Sequence, residues 1–259
     1  MNTNSMLQEL QRFLLFPVKG ADERKRLLAG ALLGFAGFIV PIIPGIFLLG
    51  YAGLIMQNII QEKAEPSMPA WKDWNKMFML GLKMGCAGFI YCLPALIVMF
   101  GGYAIMIIPT FIQAFSNSHT YYQPSSVFAT SLLGTFGGMA LFGIGLLLFV
   151  PLWLVLPAVI SHVAATDSFQ AAFHFKDWWR ILRANIGGFA ITLILAAGLS
   201  FVLVFAIEIL YMTIILCIVI PFLMAFLIAY LTIAVYALFA IAYREGREKA
   251  LQVEKVEKV

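Results

Sequence analysis

Two stretches of this chain leave little freedom in its fold. Residues 127–162 contain no Asp, Glu, Lys or Arg, and residues 184–243 contain a single charged side chain, Glu208. Both exceed the roughly 20 apolar residues that carry a helix across bilayer hydrocarbon. No water is present there to satisfy N–H and C=O groups, so the chain must bond to itself as helix. Only 12% of the 259 residues are charged and 62% are hydrophobic, whereas soluble domains carry about a quarter charged residues. The expected fold is an all-α polytopic membrane protein. It has five to six transmembrane segments, arranged as repeated helical hairpins preceded by interfacial amphipathic helices. Residues 1–259 read as one membrane domain: a cytoplasmic N-terminal segment (1–26), membrane helices (27–243) and a charged cytoplasmic tail (244–259).

The 17 Lys and Arg residues fall in four segments. Residues 1–26, 61–83, 163–185 and 244–259 hold five, four, three and five of them. The polar stretch 109–126, with "SNSHTYYQPSS", has none. The positive-inside rule places the four basic segments on the cytoplasmic side and 109–126 outside. The net charge of +4 is thereby a membrane-flank signal, and nucleic acid is not an expected partner. The first 26 residues lack a long apolar core and a small-residue cleavage site, so no cleaved signal peptide is expected. With both termini cytoplasmic, the protein is expected in the cell's inner, or cytoplasmic, membrane.

A degenerate repeat, D-x-x-[KR]-x4-[GN], sharpens the topology. It aligns Asp22, Asp73 and Asp177, then Lys25, Lys76 and Arg180, then Gly30, Gly81 and Asn185. If the three steps share a membrane face, an even number of crossings follows each. Residues 78–108 and 127–162 supply two after the second copy. Residues 186–243, turning near Glu208 to Met212, supply two after the third. Residues 27–60 follow the first and are tight for two. They form either a single kinked helix or a hairpin turning at Pro44-Gly45, which spans a thinned bilayer or re-enters without crossing. The charge distribution favours the hairpin, and hence six segments over five.

The repeated step is rich in Trp and cations. As a helix capped at Asp167 or Ser168, residues 168–184 place Lys176, Arg180 and Arg183 on one stripe and Ala171, Phe175, Trp178 and Leu182 opposite. Asp177 is spaced to pair with Arg180. Such a helix lies in the interface with rings at the acyl boundary and cations near phosphates. The step reads as a mooring, and also as a docking patch for anionic lipid or a partner protein. Trp71, Lys72, Trp74, Lys76, Lys176, Trp178, Arg180 and Arg183 are its contact candidates. Glycines with G-x-x-x-G spacing follow: Gly30 and Gly34, Gly81 and Gly85, Gly134 and Gly138. They permit close helix packing within the monomer, or a homo-oligomer seam.

Chemistry is sparse. Cys86, Cys92 and Cys217 form no C-x-x-C pair, and His119, His162 and His174 have no ligand spacing, so no metal or cofactor is expected. No G-x-S-x-G, Walker A or H-E-x-x-H motif occurs, and the chain reads as non-enzymatic. Glu208 is the one candidate ion or proton site, set against a wet position near the outer end of its helix. Lys83 can snorkel to the cytoplasmic interface. Prolines at 41, 44, 94, 109, 151, 157 and 221 could break helices into a transport site, with "FVPLWLVLP" at 149–157 the best candidate. The functional expectation is a scaffold or accessory subunit contacting anionic lipid or a membrane partner, with a small-molecule or lipid carrier or channel as the alternative. Glu208, Thr192, Ser200 and Thr213 discriminate: a shared interior pocket would favour transport.

Residues 44–94, "PGIFLLGYAGLIMQNIIQ...MPAWKDWNKMFMLGLKMG...IYCLP", resemble a prokaryotic membrane family catalogued as "domain of unknown function 4013". Gly50, Tyr51, Pro69, Trp71, Asp73, Trp74, Gly81, Leu82, Lys83, Ile90, Tyr91, Leu93 and Pro94 match its pattern. The family's basic pair after Gly-Tyr is replaced here by Ala52 to Gln57, and its Gly-Glu reads Gln61-Glu62. "TDSFQAAFHFKDWWRILRAN" is similar to its later step, and more faintly to the membrane domain attached to some glycerophosphodiester phosphodiesterases. The resemblance implies a cytoplasmic-membrane protein and carries over no activity.

Overall fold

The computed structural model describes residues 14–61, 66–115, 125–211 and 219–257. Among them there is helix and no strand. Residues 14–19 are helical. Then follow α1 (Ala21–Ala36), α2 (Ile43–Gln61), α3 (Trp74–Phe115), α4 (Ser125–Thr166), a 3-10 turn (Gln170–Phe173), α5 (Phe175–Ala184), α6 (Ile186–Tyr211) and α7 (Ile220–Glu257). Five helices are long and apolar enough to cross a membrane: α2, and the stretches Trp74–Ile108, Leu132–Thr166, Ile186–Leu210 and Ile220–Lys255.

The segment 27–60 is a hairpin rather than one kinked helix, but its turn lies elsewhere than at Pro44-Gly45. Residues 37–42 make the turn, and Pro44 and Gly45 sit in the first turn of α2. Proline is tolerated there because the first helical N–H groups have no partner to lose. α1, at 16 residues with charges in its first turns, is shorter than the five. Of the turn expected near Glu208 to Met212, residues 208–211 end α6 and α7 begins at Ile220; Met212, Thr213 and the connection lie outside the described residues. Nor are residues 168–184 one helix. The chain breaks at His174, which caps α5 in place of Asp167 or Ser168. Asp167 takes the left-handed conformation (φ 50°) just past α4. That is the position where helices end by reversing φ, and short polar side chains tolerate it.

The described chain groups into two compact units, Met1–Gly88 with Pro157–Val259, and Phe89–Leu156. In the larger, α7 is the hub, packing against α1, α2, α5 and α6. Tyr51, Ile55, Met56 and Ile59 of α2, Met77, Leu80 and Met84 of α3, Val159 and Val163 of α4 and Ile233 of α7 are fully enclosed. Close approach depends on glycine. A Cβ at Gly50 would overlap the Met77 carbonyl, one at Gly81 the Ile46 carbonyl, and one at Gly34 would sit 2.8 Å from the Ala225 carbonyl. The smaller unit is an antiparallel pair in which a Cβ on Gly138 would lie 2.6 Å from Gly102 O, and one on Gly145 2.7 Å from Met99 N. Apolar side chains such as Phe100, Leu133, Leu147 and Val150 cover its exterior. Helices are continuous through Pro94, Pro109, Pro151 and Pro157. The Ser161 hydroxyl donates to the Pro157 carbonyl at 2.6 Å, one way membrane helices satisfy backbone groups near proline.

Candidate functional site

The first Trp-rich step is an extended strap, residues 66–73, laid over α1 and α2. Met68 is buried beneath it. Arg26 of α1 donates from its guanidinium to the Met68 carbonyl. The Trp71 indole N–H donates to the Arg26 carbonyl at 3.0 Å. The Tyr51 hydroxyl of α2 donates to the Pro69 carbonyl at 2.8 Å, and the Tyr51 and Trp71 rings stack with centroids 3.9 Å apart. Gly30 lies beside the Trp71 ring, where a Cβ would meet it in ordinary contact at 3.5 Å. Trp71 therefore faces the protein. Trp74, half exposed, meets Phe47 edge to face. Lys72, Asp73 and Lys76 are exposed.

The second step behaves alike. Trp178 is only 4% exposed, and its indole N–H donates to the Ala172 carbonyl at 3.1 Å. Ile181 and Leu182 are buried with it, so the apolar stripe of α5 is spent largely on the protein. Its outward aromatics are Phe175 and Trp179, the latter 45% exposed. Lys176, Arg180 and Arg183 are exposed. Arg180 does not pair with Asp177. It bonds Glu254 of α7 at 3.1 Å, while Asp177 approaches His174 at 3.9 Å. Asn185, buried where α5 meets α6, donates to the Ala242 carbonyl at 3.0 Å and to Glu245 at 3.3 Å, and accepts from Lys249 at 2.6 Å. The three positions ending the repeat are thus all helix contacts: Gly30 beside Ala229 and Trp71, Gly81 beside Ile46, and Asn185 on α7.

Lys83 reaches across to the end of α4. Its ammonium binds both the Asp167 carboxylate (2.9 Å) and carbonyl (2.8 Å), a cation at the C-terminus of α4 where the helix dipole favours one. Arg244 donates to the Ile59 carbonyl at 3.3 Å. Contacts therefore join all four basic segments: 1–26 to 61–83 through Arg26, 61–83 to 163–185 through Lys83, and 163–185 to 244–259 through Arg180. They link the four segments in series within the larger unit.

Polar groups inside the larger unit are committed to packing. Gln57 donates to the Ala164 carbonyl at 2.9 Å, and His162 Nδ1 shares a 2.6 Å hydrogen bond with the Tyr243 hydroxyl; the exposed Gln61 donates to the Ala165 carbonyl. Every buried side-chain nitrogen and oxygen among the described residues has a partner. Thr192 is buried and Glu208 exposed on the same helix. They lie about 160° apart at 100° per residue, so these two do not share an interior pocket. "FVPLWLVLP" is unbroken helix with Trp153 outward. Among the described residues no three His, Cys, Asp or Glu side chains are grouped to hold a metal. Tyr51, Arg26, Gln57 and Tyr243 were not singled out by their own spacing. Only the family pattern pointed to Tyr51.

A model of the family described as "Protein of unknown function (DUF4013)" matches residues 33–212. No curated protein and no solved structure matches, so the fainter likeness to the phosphodiesterase-associated domain has no finding behind it.

Proposed function

The chain belongs to that family of multi-span membrane proteins, and from this premise we propose that it is a non-enzymatic scaffold or accessory subunit. Its exposed basic and aromatic side chains contact anionic lipid headgroups or a membrane partner on the cytoplasmic side of the cytoplasmic membrane. The observation that carries this reading is the division of labour on α5. Trp178, Ile181 and Leu182 anchor it inward, while Lys176, Arg183 and the rings of Phe175 and Trp179 remain at the surface. Cations beside exposed aromatic rings suit the headgroup level, where rings rest on the acyl boundary and cations meet phosphate. Lys72, Trp74 and Lys76 repeat the arrangement at the start of α3.

The test is native mass spectrometry of the full chain, extracted in mild detergent and offered anionic and zwitterionic phospholipid together. The expected result is preferential retention of the anionic lipid. Lys176→Gln with Arg183→Gln is expected to reduce that retention several-fold without changing the elution volume of the protein. Equal retention of both lipids, or retention unaffected by the double substitution, would overturn the lipid-contact reading.

A further inference from the structure

Around α5 the exposed side chains change character in a fixed order. At 100° per residue they run Phe175, Trp179, Arg183, Lys176, Arg180 and Asp177, from rings through cations to a carboxylate. Arg183 and Lys176 stand about 40° and 60° from Trp179, and Arg180 about 100°.

The cation farthest from the rings is the one already engaged. Arg180 Nη1 donates to Glu254 Oε2 at 3.1 Å, passing over Asp177 three residues away on its own helix. Among the described residues neither Lys176 nor Arg183 is in an ion pair. Glu254 stands in the last turn of α7, where the helix dipole disfavours a carboxylate, and Arg180 offsets that.

The pair is weak and separable. Its two side chains remain 54% and 38% exposed, and exposed ion pairs shift an equilibrium by no more than about fivefold. An anionic lipid surface favours each Lys or Arg beside it by about the same factor. Phosphate accepts two parallel N–H bonds from a guanidinium, and the same surface repels Glu254. The rest of the α5–α7 contact does not need the pair. Gly246 of α7 lies against the Ile181 carbonyl, and Asn185 binds the Ala242 carbonyl and Lys249. Arg180 can therefore change partner while α5 stays in place.

We infer that the Arg180–Glu254 pair is an electrostatic latch on the lipid-contact face, an inference that rests on the function proposed above. In the closed state Glu254 withholds Arg180 from that face. An anionic phospholipid headgroup displaces the carboxylate and takes Arg180 as a ligand beside Lys176 and Arg183.

The experiment is native mass spectrometry of the full chain in mild detergent at low ionic strength, with phosphatidylglycerol and phosphatidylcholine offered together. Wild type is compared with Glu254→Gln, Arg180→Gln and the double variant, and Glu254→Ala is an independent second replacement should the first fail to fold. Loss of the carboxylate is expected to raise phosphatidylglycerol retention about two- to fivefold. The double variant is expected to show no gain over Arg180→Gln alone, and millimolar inorganic phosphate is expected to leave the retained lipid in place. A wild-type preference for phosphatidylglycerol with no gain in either Glu254 variant overturns the latch alone. A gain that persists without Arg180 also overturns it, since overall charge would then be the cause. Displacement by inorganic phosphate would make the ligand a free anion and overturn the lipid assignment. Equal retention of both lipids by the wild type overturns the contact reading, and the latch with it.

Discussion

Each Trp-rich step places one tryptophan inward and one outward. Trp71 and Trp178 donate their indole N–H to backbone carbonyls of the protein, whereas Trp74 and Trp179 stand at the surface. The pattern of charges and rings was legible in the sequence, and so was the apolar side of α5. What was not legible is which apolar surface is met by lipid and which by protein, because both satisfy a ring equally well. Position along the chain decides it: Trp71 sits on a strap folded over Tyr51, and nothing in a helical wheel anticipates a strap. The inward pair predicts a stability difference. Tyr51→Phe keeps the stack and leaves the Pro69 carbonyl without its donor, costing about 1 kcal/mol. Trp71→Ala loses both ring and donor and is expected to cost about 3 kcal/mol. Thermal unfolding of the two variants in one detergent should rank them in that order, and equal melting points would remove Trp71 from its place in the packing.

At the scale of helices, the small-residue spacings announced close packing, and the structure uses Gly30, Gly34, Gly81 and Gly138 inside the monomer. Gly50 was less visible, since its partner Gly81 lies on another helix and no spacing along one chain segment encodes a pair between two. The G-x-x-x-G pair on α3 is also unequal. A Cβ at Gly81 would run into the α2 backbone, whereas one at Gly85 would only touch the Leu49 side chain at 3.5 Å. Gly81→Ala is therefore expected to destabilise by about 1–3 kcal/mol or more, because backbone must shift, and Gly85→Ala to stay within about 0.5 kcal/mol. Melting curves and yield of monodisperse protein check the contrast. The hairpin in residues 27–60 was readable from the parity of basic segments. Its turn was misplaced because Pro-Gly is a turn signal in water, while here the pair starts a helix.

For the molecule as a whole, the long uncharged runs were enough to specify a helical membrane protein, and single contacts link the basic segments in series. Division into two units was not foreseen, since both are apolar and composition does not change between them. The charged tail takes part in packing. Glu254 and Lys249 tie α5 and Asn185 to α7. Truncation after Glu245 is expected to release α5 while leaving the apolar part of α7 in place. Limited trypsin digestion of reconstituted protein would then cut at Lys176, Arg180 or Arg183 several-fold faster than in the full chain. An unchanged cleavage rate would show that Trp178 and its neighbours hold α5 unaided.

α7 runs without a joint through its 38 residues, from Phe222 beside the α1 tip to Glu254 beside α5. It is a stiff rod about 57 Å long. No break in the helix separates its charged end from its apolar end. A rotation that swings Glu254 also sweeps Ala225 across Gly34, so the two ends of this unit keep a common phase.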